Sequence, residues 1–431
     1  MNATNALTSE EQLVLAAVGA GISAEHQETV NHTLEQGVVW RGVQFLAERN
    51  NAGSFLHRAL RNVPGELVPE QVQTKFRQIY LATFQRNQEF AHVISHLSET
   101  FGRADTRAVF LRGLVLAERV YGNPSLRRFA DIDVLVQRDD VPRALLALEG
   151  AGGVPRRGTL SNGYYYRNHF HLERVMGNGQ GSTVELHWNL DHRYTLFTID
   201  VAGLIDRSLS AQVGSACVQV LSPVDDILGL CLHAVKHCPA IRHFPSSPLL
   251  PRRILLDGWL TQLVDVAMAL RWYTTLDWDL VVASARSWGA EASASGAFTA
   301  VQSILGISPP EPVLQQLRMA AKPARFGRSL VRAFVDPATT LQPLDQRRPL
   351  TRLILTRWRF QEDAVFHPVR LLDLLNYFAP SRQDLARWFG KPRLRPFWWW
   401  WARHAAVSSL RLLAGLVDLV ASRLAVTVRN R

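Results

Sequence analysis

The stretch RRFADIDVLVQRDD, residues 127–140, decides the fold, because DIDVLV within it has the pattern of a β-strand. Side chains alternate between the two faces of a strand, so three of its four apolar side chains share one face, Ile132, Val134 and Val136, and Leu135 lies on the other. Asp131 and Asp133 then share the other face, where mutual repulsion and loss of water both oppose ionisation. A divalent cation removes that difficulty, since Mg²⁺ is commonly held by one or two carboxylates and substrate phosphates.

A third acidic residue lies in a later predicted strand, VELHW (184–188). Alternation there puts Glu185 and His187 on one face of the strand and the apolar residues on the other. A third carboxylate on a neighbouring strand would complete a two-metal site, with one ion for the attacking oxygen and one for a triphosphate and leaving group. The predicted metal ligands, which are also candidate catalytic residues, are Asp131, Asp133 and Glu185.

A glycine turn precedes the acidic strand. RAVFLRG (107–113) predicts a short strand that ends at Gly113, where a residue without a Cβ lets a phosphate approach the backbone at the start of a helix. A helix follows DIDVLV, and two further strands are predicted over 164–175 and 182–190. The pattern predicts an α+β fold with a small mixed β-sheet.

Helical patterns flank this sheet on both sides. Apolar residues at three- and four-residue spacing predict helices over 8–100 and again from about 222 onward. The predicted regions are an N-terminal helical region, the sheet-containing core, a helical domain that walls a cleft, and an Arg- and Trp-rich C-terminal helical region: 1–100, 101–200, 201–320 and 321–431.

Composition restricts the class of protein without identifying a ligand. The 431 residues carry a net charge of +11, which could serve nucleic acid, an anionic membrane surface or a phosphorylated ligand. Three cysteines without a CxxC pair argue against a disulfide framework and a zinc ribbon. The N-terminal residues lack the pattern of a secretory signal, so we expect a cytoplasmic protein.

The segment PFWWWWARHAAVSSLRLLAGLVDLVASRLAV (396–426) predicts an amphipathic helix. Arg411, Asp418 and Arg423 would be costly at the centre of a bilayer, so no transmembrane span is expected. Two interpretations stay open. The helix packs against its own domain, or it makes peripheral contact with a membrane surface.

The order of these motifs resembles the uncharacterised nucleotidyltransferase family within the DNA polymerase beta-like superfamily. The resemblance is carried by LRG, then Arg127, DIDVLV, the histidine strand HFH and VELHW, and it covers roughly residues 100–310. By position, Gly113 matches the glycine of the superfamily turn, Asp131 and Asp133 match the metal-binding pair, and Glu185 matches the third carboxylate.

The resemblance implies a magnesium-dependent enzyme, with Mn²⁺ as an alternative ion. Such an enzyme moves a nucleoside monophosphate from an NTP, for example ATP, to an acceptor and releases pyrophosphate. The acceptor is not identified by the sequence, and a small hydroxylated molecule, a peptide, a protein and RNA all remain open.

Two residues at the turn depart from the pattern. Arg112 stands where the narrower family commonly has lysine, which keeps the charge but changes its geometry. Leu114 stands where the superfamily often has serine or glycine, which removes one phosphate contact. The resemblance gives Arg112 and Gly113 to nucleotide binding, and it gives Arg127 either a phosphate contact or a structural ion pair.

Later residues complete the implied site. In CLHAVKHC (231–238) the resemblance implies that Lys236 reaches the triphosphate, and that Asp265 orients Lys236 or acts as a base toward the acceptor. His233 and His237 are spaced for zinc, but the glutamate of a metalloprotease motif is absent. The alternative for this region is packed core histidines and a buried ion pair.

Three histidines fall on predicted strands near the acids. They could bind the acceptor, hydrogen-bond to the metal ligands, or simply pack in the sheet: His169, His171 and His187. Two other classes of function stay open for the whole chain. One is a nucleotide-binding protein without catalysis, and the other is a membrane- or RNA-associated protein that acts through its basic, Trp-rich tail.

Overall fold

The computed structural model describes residues 7–21, 24–156, 162–191, 197–238, 241, 246–248 and 250–321. Its strands are β1 (Val109–Leu111), β2 (Asp131–Leu135), β3 (Val154–Pro155), β4 (His171–Val175), β5 (Thr183–His187), β6 (Leu209–Val213) and β7 (Ala216–Val220). All seven form one mixed sheet in the order β3-β4-β5-β2-β1-β7-β6. The predicted α+β class is confirmed.

The centre of the sheet positions the acidic residues. Strand β2 lies between β1, with which it is antiparallel, and β5, with which it is parallel. The register pairs Asp133 with Leu111 on one side and with Glu185 on the other. Strand β5 is in turn antiparallel to β4, where His171 pairs with His187. Acids and histidines from three adjacent strands therefore share one region of one face.

Five α-helices precede the sheet among the residues that the structure describes. They are α1 (Ser9–Gly19), α2 (Ala24–Glu35), α3 (Trp40–Arg49), α4 (Gly53–Leu60) and α5 (Glu70–Arg103). The C-terminal half of α5 covers the apolar face of the sheet, where Phe90 and Leu97 belong to the same cluster as Ile132 and Val134. Each such buried side chain contributes about 1.5–3 kcal/mol. The apolar side chains predicted from the alternation of DIDVLV do point into this core.

Short helices connect the strands. The first, α6, begins as an α-helix over Gly113–Val115 and continues as a π-helix over Leu116–Val120. The others are α7 (Val141–Gly150), α8 (Asn162–Asn168), the turn-like α9 (Met176–Gly179) and α10 (Val201–Asp206).

The helices that the structure describes after the sheet contribute to the apolar cluster on its opposite face. They are α11 (Pro223–His237), α12 (Leu250–Asp257), α13 (Leu260–Trp272), α14 (Trp278–Trp288), α15 (Glu291–Leu305) and α16 (Glu311–Ala320). Leu135 belongs to the same apolar cluster as residues of these helices and of α1–α4, so Asp133, two residues earlier on the strand, faces the same side. The acids therefore lie on the face of the sheet that these helices cover.

Two expectations need correction. Residues 164–168 were expected in a strand but form the end of α8, where the ring of Tyr165 packs 4.9 Å from that of His169 one turn later. Aromatic residues favour strands only where cross-strand packing rewards them. The boundary expected at residue 200 falls before β6 and β7, which belong to the same sheet, so the sheet extends to Val220.

The predicted C-terminal helical region, with its FWWWW segment, lies outside the described residues from 322 onward. Among the helices that the structure does describe, none has both the length and the apolarity that crossing a bilayer requires.

Candidate active site

The three predicted acids come together on one face of the sheet. Asp133 and Glu185 are register partners on β2 and β5. The Nε2 atom of His187 lies 2.8 Å from Asp133 Oδ1 and 3.2 Å from Glu185 Oε2, so both carboxylates reach a single nitrogen. Asp131 precedes Asp133 by two residues on the same strand face.

Arg112 holds the other oxygen of Asp133. Its Nε and Nη2 atoms donate to Asp133 Oδ2 at 3.0 and 2.7 Å. Both partners are largely buried, with side-chain exposures of 13% and 9%. Charge-assisted contacts of this kind are strong and fix the orientation of the carboxylate. Arg112 and His187 together occupy both oxygens of Asp133.

The two aspartates differ in their electrostatics. Burial, followed by the charges of Asp133 and Glu185, raises the pKa of Asp131 to about 6. Burial also opposes ionisation of Asp133, but Arg112 and His187 outweigh it and hold the pKa of Asp133 well below its usual range. The negative charge of Asp133 is therefore balanced by Arg112 and His187, whereas the protein does not fully balance that of Asp131.

The turn after β1 is strained. Arg112 has φ 41° and ψ −132°, and Gly113 has φ 43°. A positive φ in a non-glycine residue costs on the order of 1–3 kcal/mol and persists only where the surroundings enforce it. The paired contacts to Asp133 supply that enforcement. At Gly113 the positive φ favours glycine. Space does not, because an added Cβ would make only an ordinary contact with Phe129 at 3.5 Å.

Arg127 and Asp265 form a buried ion pair behind this turn. Arg127 Nε and Nη2 donate to the two oxygens of Asp265, each at 2.7 Å, and Arg127 Nη1 donates to the carbonyl of Gly113 at 3.2 Å. Tyr121 donates its hydroxyl to Asp265 Oδ1 at 2.6 Å. Burial, followed by the charge of Asp265, raises the pKa of Tyr121, which keeps it a donor.

These contacts show where two predicted site residues lie. Asp265 is fully buried and engaged by Arg127 and Tyr121, rather than presented toward an acceptor. Of the two roles that the sequence left open for Arg127, its contacts match the structural ion pair. Sequence analysis had not linked Tyr121 to Asp265, which are 144 residues apart.

Lys236, at the end of α11, lies beside the histidines of the sheet. Its Nζ atom is 4.0 Å from the centre of the Phe170 ring, and that ring packs edge-on against His171 with centroids 4.5 Å apart. One helical turn earlier, the ring of His233 packs against that of His237 at 4.5 Å. Burial, then the charges of Arg112 and His237, lower the pKa of His233 well below its usual value. His233 is therefore a neutral, packed histidine.

His171 and His187 are the residues whose place in the site the sequence left open. Their rings stack at 5.0 Å with an interplanar angle of 28°, and His171 Nε2 lies 3.7 Å from Glu185 Oε2. Burial, then His187 and Lys236, lower the pKa of His171 well below its usual value. For His187 the hydrogen bonds of Asp133 and Glu185 outweigh burial and raise its pKa.

The arrangement fits a divalent cation. Carboxylates from two adjacent strands converge, and the pKa of one of them, Asp131, is raised by burial and by the neighbouring charges of Asp133 and Glu185. A cation beside Asp131 would supply the missing positive charge. Within the described residues, a group of three side chains has ligand atoms all within 4.8 Å of one another: His171, Glu185 and His187.

A second buried carboxylate gives a test of these electrostatics away from the acids. Asp226, on α11, accepts a hydrogen bond from the Tyr273 hydroxyl at 2.7 Å, and burial raises its pKa to about 6. Because this pKa exceeds that of an unfolded aspartate, the folded state binds the extra proton, and stability falls as pH rises from about 4 to 6.

We therefore expect Asp226→Asn to be more stable than the wild type at pH 7.5, by on the order of 2 kcal/mol. The difference should shrink toward zero at pH 3, where the wild-type carboxyl is mostly protonated in both states. Urea unfolding at the two pH values measures it. A variant that is less stable than the wild type at pH 7.5 would show that the charge of Asp226 is compensated.

Comparison with known proteins supplies one further finding. The family model described as "Uncharacterised nucleotidyltransferase" matches residues 36–306, more than half of the 431 residues. The match begins just after α2 and so includes most of the N-terminal helices, which lie upstream of the resemblance recognised in the sequence. No curated protein and no solved structure matches the chain.

Proposed function

Because the chain belongs to the uncharacterised nucleotidyltransferase family, we propose that it transfers a nucleoside monophosphate from an NTP to an acceptor and releases pyrophosphate. The proposed metal ligands are Asp131, Asp133 and Glu185, with Mg²⁺ or Mn²⁺ as the ion. The observation that supports the proposal is the convergence of Asp133 and Glu185 at one nitrogen of His187.

The cation, when bound, would balance the carboxylate and triphosphate charges and lower the pKa of the attacking oxygen. The protein contributes positioning. Arg112 keeps Asp133 ionised and fixes its orientation through two hydrogen bonds. Transfer of a phosphoryl-type group depends mainly on such positioning and on charge neutralisation.

A buried ion pair supports the glycine turn. Arg127 ties the carbonyl of Gly113 to the carboxylate of Asp265, so this pair fixes the backbone that would face the triphosphate. We propose that Arg127 and Asp265 are positioning residues, because all of these contacts are internal to the protein. Lys236 is then the candidate for direct contact with the triphosphate, from the α11 side of the site.

The reaction can be tested by label transfer. Each labelled NTP is incubated with the full chain, Mg²⁺ or Mn²⁺, and a cell extract that supplies the acceptor. We expect transfer by the wild type and a loss of at least about 100-fold in Glu185→Gln, the scale for removing one preorganised charged group. The matched control is Glu99→Gln, at an exposed position of α5, which should transfer at the wild-type rate.

Circular dichroism of Glu185→Gln should match that of the wild type, because removing one of three clustered carboxylates relieves repulsion. Transfer at the wild-type rate by Glu185→Gln would refute the proposed site.

A nucleotide-binding protein without catalysis is the second candidate. The observation that favours it is the hold of Arg112 and His187 on both oxygens of Asp133, which leaves neither oxygen open until one partner moves. Titration calorimetry that shows NTP binding, combined with no pyrophosphate release in any extract, would select this candidate. A cytoplasmic location and peripheral membrane contact through 396–426 remain proposals that rest on the sequence.

A further inference from the structure

We infer that His171, Glu185 and His187 form the ligand set of a first-row transition ion, so that the proposed active site selects such an ion over Mg²⁺. This inference rests on the proposed function and deepens it, because Glu185 belongs to both ligand sets. It assigns two histidines that the carboxylate site does not use.

The distances match ligands on a single ion. His187 Nε2 lies 3.2 Å and His171 Nε2 lies 3.7 Å from the same atom, Glu185 Oε2. Adjacent ligands about 2.1 Å from an octahedral ion are about 3.0 Å apart, and around tetrahedral zinc they are about 3.3 Å apart. The two nitrogen-to-oxygen separations therefore match ligands on one ion to within a few tenths of an ångström, and all three ligand atoms lie within 4.8 Å of one another.

The two imidazoles are held in place before any ion binds. They are register partners on β4 and β5, their rings stack at 5.0 Å, and Phe170 packs against both. Each ring turns Nε2 toward Glu185, and each Nδ1 is buried with no hydrogen-bond partner in the described part of the chain. Both Nε2 atoms thus face Glu185, and that of His187 also lies 2.8 Å from Asp133 Oδ1.

Asp133 can bind the same ion while it keeps its ion pair with Arg112. Arg112 binds Oδ2, whereas Oδ1 lies 2.8 Å from His187 Nε2. An ion on the histidine side would take Oδ1 as a further oxygen ligand while the ion pair of Asp133 with Arg112 stays intact. The donor set would then be two nitrogens and two oxygens.

Such a donor set discriminates between ions. Mg²⁺ prefers oxygen ligands and gives up its waters reluctantly, whereas imidazole nitrogen binds first-row transition ions well. The occupant we assign is accordingly an ion of the Mn²⁺ to Zn²⁺ series. A pure carboxylate site would not make this distinction to the same degree.

Mn²⁺ is the probe for the test, because electron spin echo modulation reports ¹⁴N nuclei bound to it. We expect the wild-type full chain to bind Mn²⁺ with ¹⁴N modulation from imidazole. His171→Gln should weaken the modulation and raise the Kd for Mn²⁺ by at least about 10-fold, the lower scale for disturbing a metal-binding histidine. Competition with Mg²⁺ should show a smaller preference for Mn²⁺ in this variant.

His96→Gln, at an exposed position of α5, is the matched control and should keep both the modulation and the Kd. His171→Gln is preferred to a change at the more deeply buried His187, and circular dichroism checks that it folds. Mn²⁺ bound without ¹⁴N modulation, or no Mn²⁺ bound at all, would overturn the inference. The label-transfer assay is independent of this test. ¹⁴N modulation without transfer would refute the proposed reaction and support the proposed ligand set.

Discussion

Asp133→Asn should abolish nucleotidyl transfer and destabilise the protein, whereas Asp131→Asn should abolish transfer and stabilise the metal-free protein. Both variants lose a proposed metal ligand, so we expect each to reduce transfer by at least about 100-fold. Their stabilities should change in opposite directions, because the protein compensates only one of the two charges. Urea unfolding in EDTA at pH 8, together with the label-transfer assay, measures both effects.

The loss of stability in Asp133→Asn comes from the two partners that the carboxylate leaves unpaired. Without the carboxylate, Arg112 and His187 are left next to a neutral amide in a largely buried position. Removing one partner of a buried ion pair costs about 3–5 kcal/mol, and the strained backbone of Arg112 loses the contact that enforces it. We expect a loss approaching the lower end of this range.

The gain of stability in Asp131→Asn follows from the linkage between protonation and folding. Its folded pKa of about 6 lies above that of an unfolded aspartate, so the wild type loses stability as pH rises from about 4 to 6. The asparagine variant avoids that loss, and above pH 6 it should be more stable by on the order of 2 kcal/mol. Below pH 4 the difference should vanish. Equal destabilisation by both replacements would mean that Asp131 is also paired in the folded protein.

The sequence was sufficient to predict the acidic face. Alternation along a strand is a local rule, so DIDVLV alone placed Asp131 and Asp133 together. The same rule placed Glu185 opposite the apolar side chains of its strand. The predicted triad also required β2 and β5 to be neighbours, a condition that no local pattern in the sequence specifies and that the structure meets.

The partners of the acids were beyond local patterns. Arg112 follows β1 and Asp133 lies on β2, and their pairing depends on the antiparallel register of the two strands. Strands β6 and β7 were missed because they interrupt a stretch otherwise dominated by helical periodicity. The sequence analysis named His171 and His187 but left their role open, because no periodicity in the sequence specifies the register that pairs them.

The buried ion pair of Arg127 with Asp265 gives the largest expected change in stability. Asp265→Asn leaves the guanidinium of Arg127 buried without a counter-charge, and such a loss costs about 3–5 kcal/mol. Asp226→Asn is the matched control, since it replaces another buried aspartate in the same helical layer that has no arginine hydrogen-bonded to it within the described part of the chain, and we expect it to stabilise the protein at pH 7.5. Urea unfolding of the two variants at pH 7.5 compares them directly.

Replacing both members separates an ion pair from a catalytic base. Asp265→Leu combined with Arg127→Met should recover most of the stability lost in Asp265→Asn, because apolar side chains of similar volume often substitute for a buried ion pair without loss. If Asp265 instead acted as a base, Asp265→Asn would lose transfer while remaining as stable as the wild type. That result would assign Asp265 a catalytic role at the reacting atoms instead of a positioning role behind the Gly113 turn.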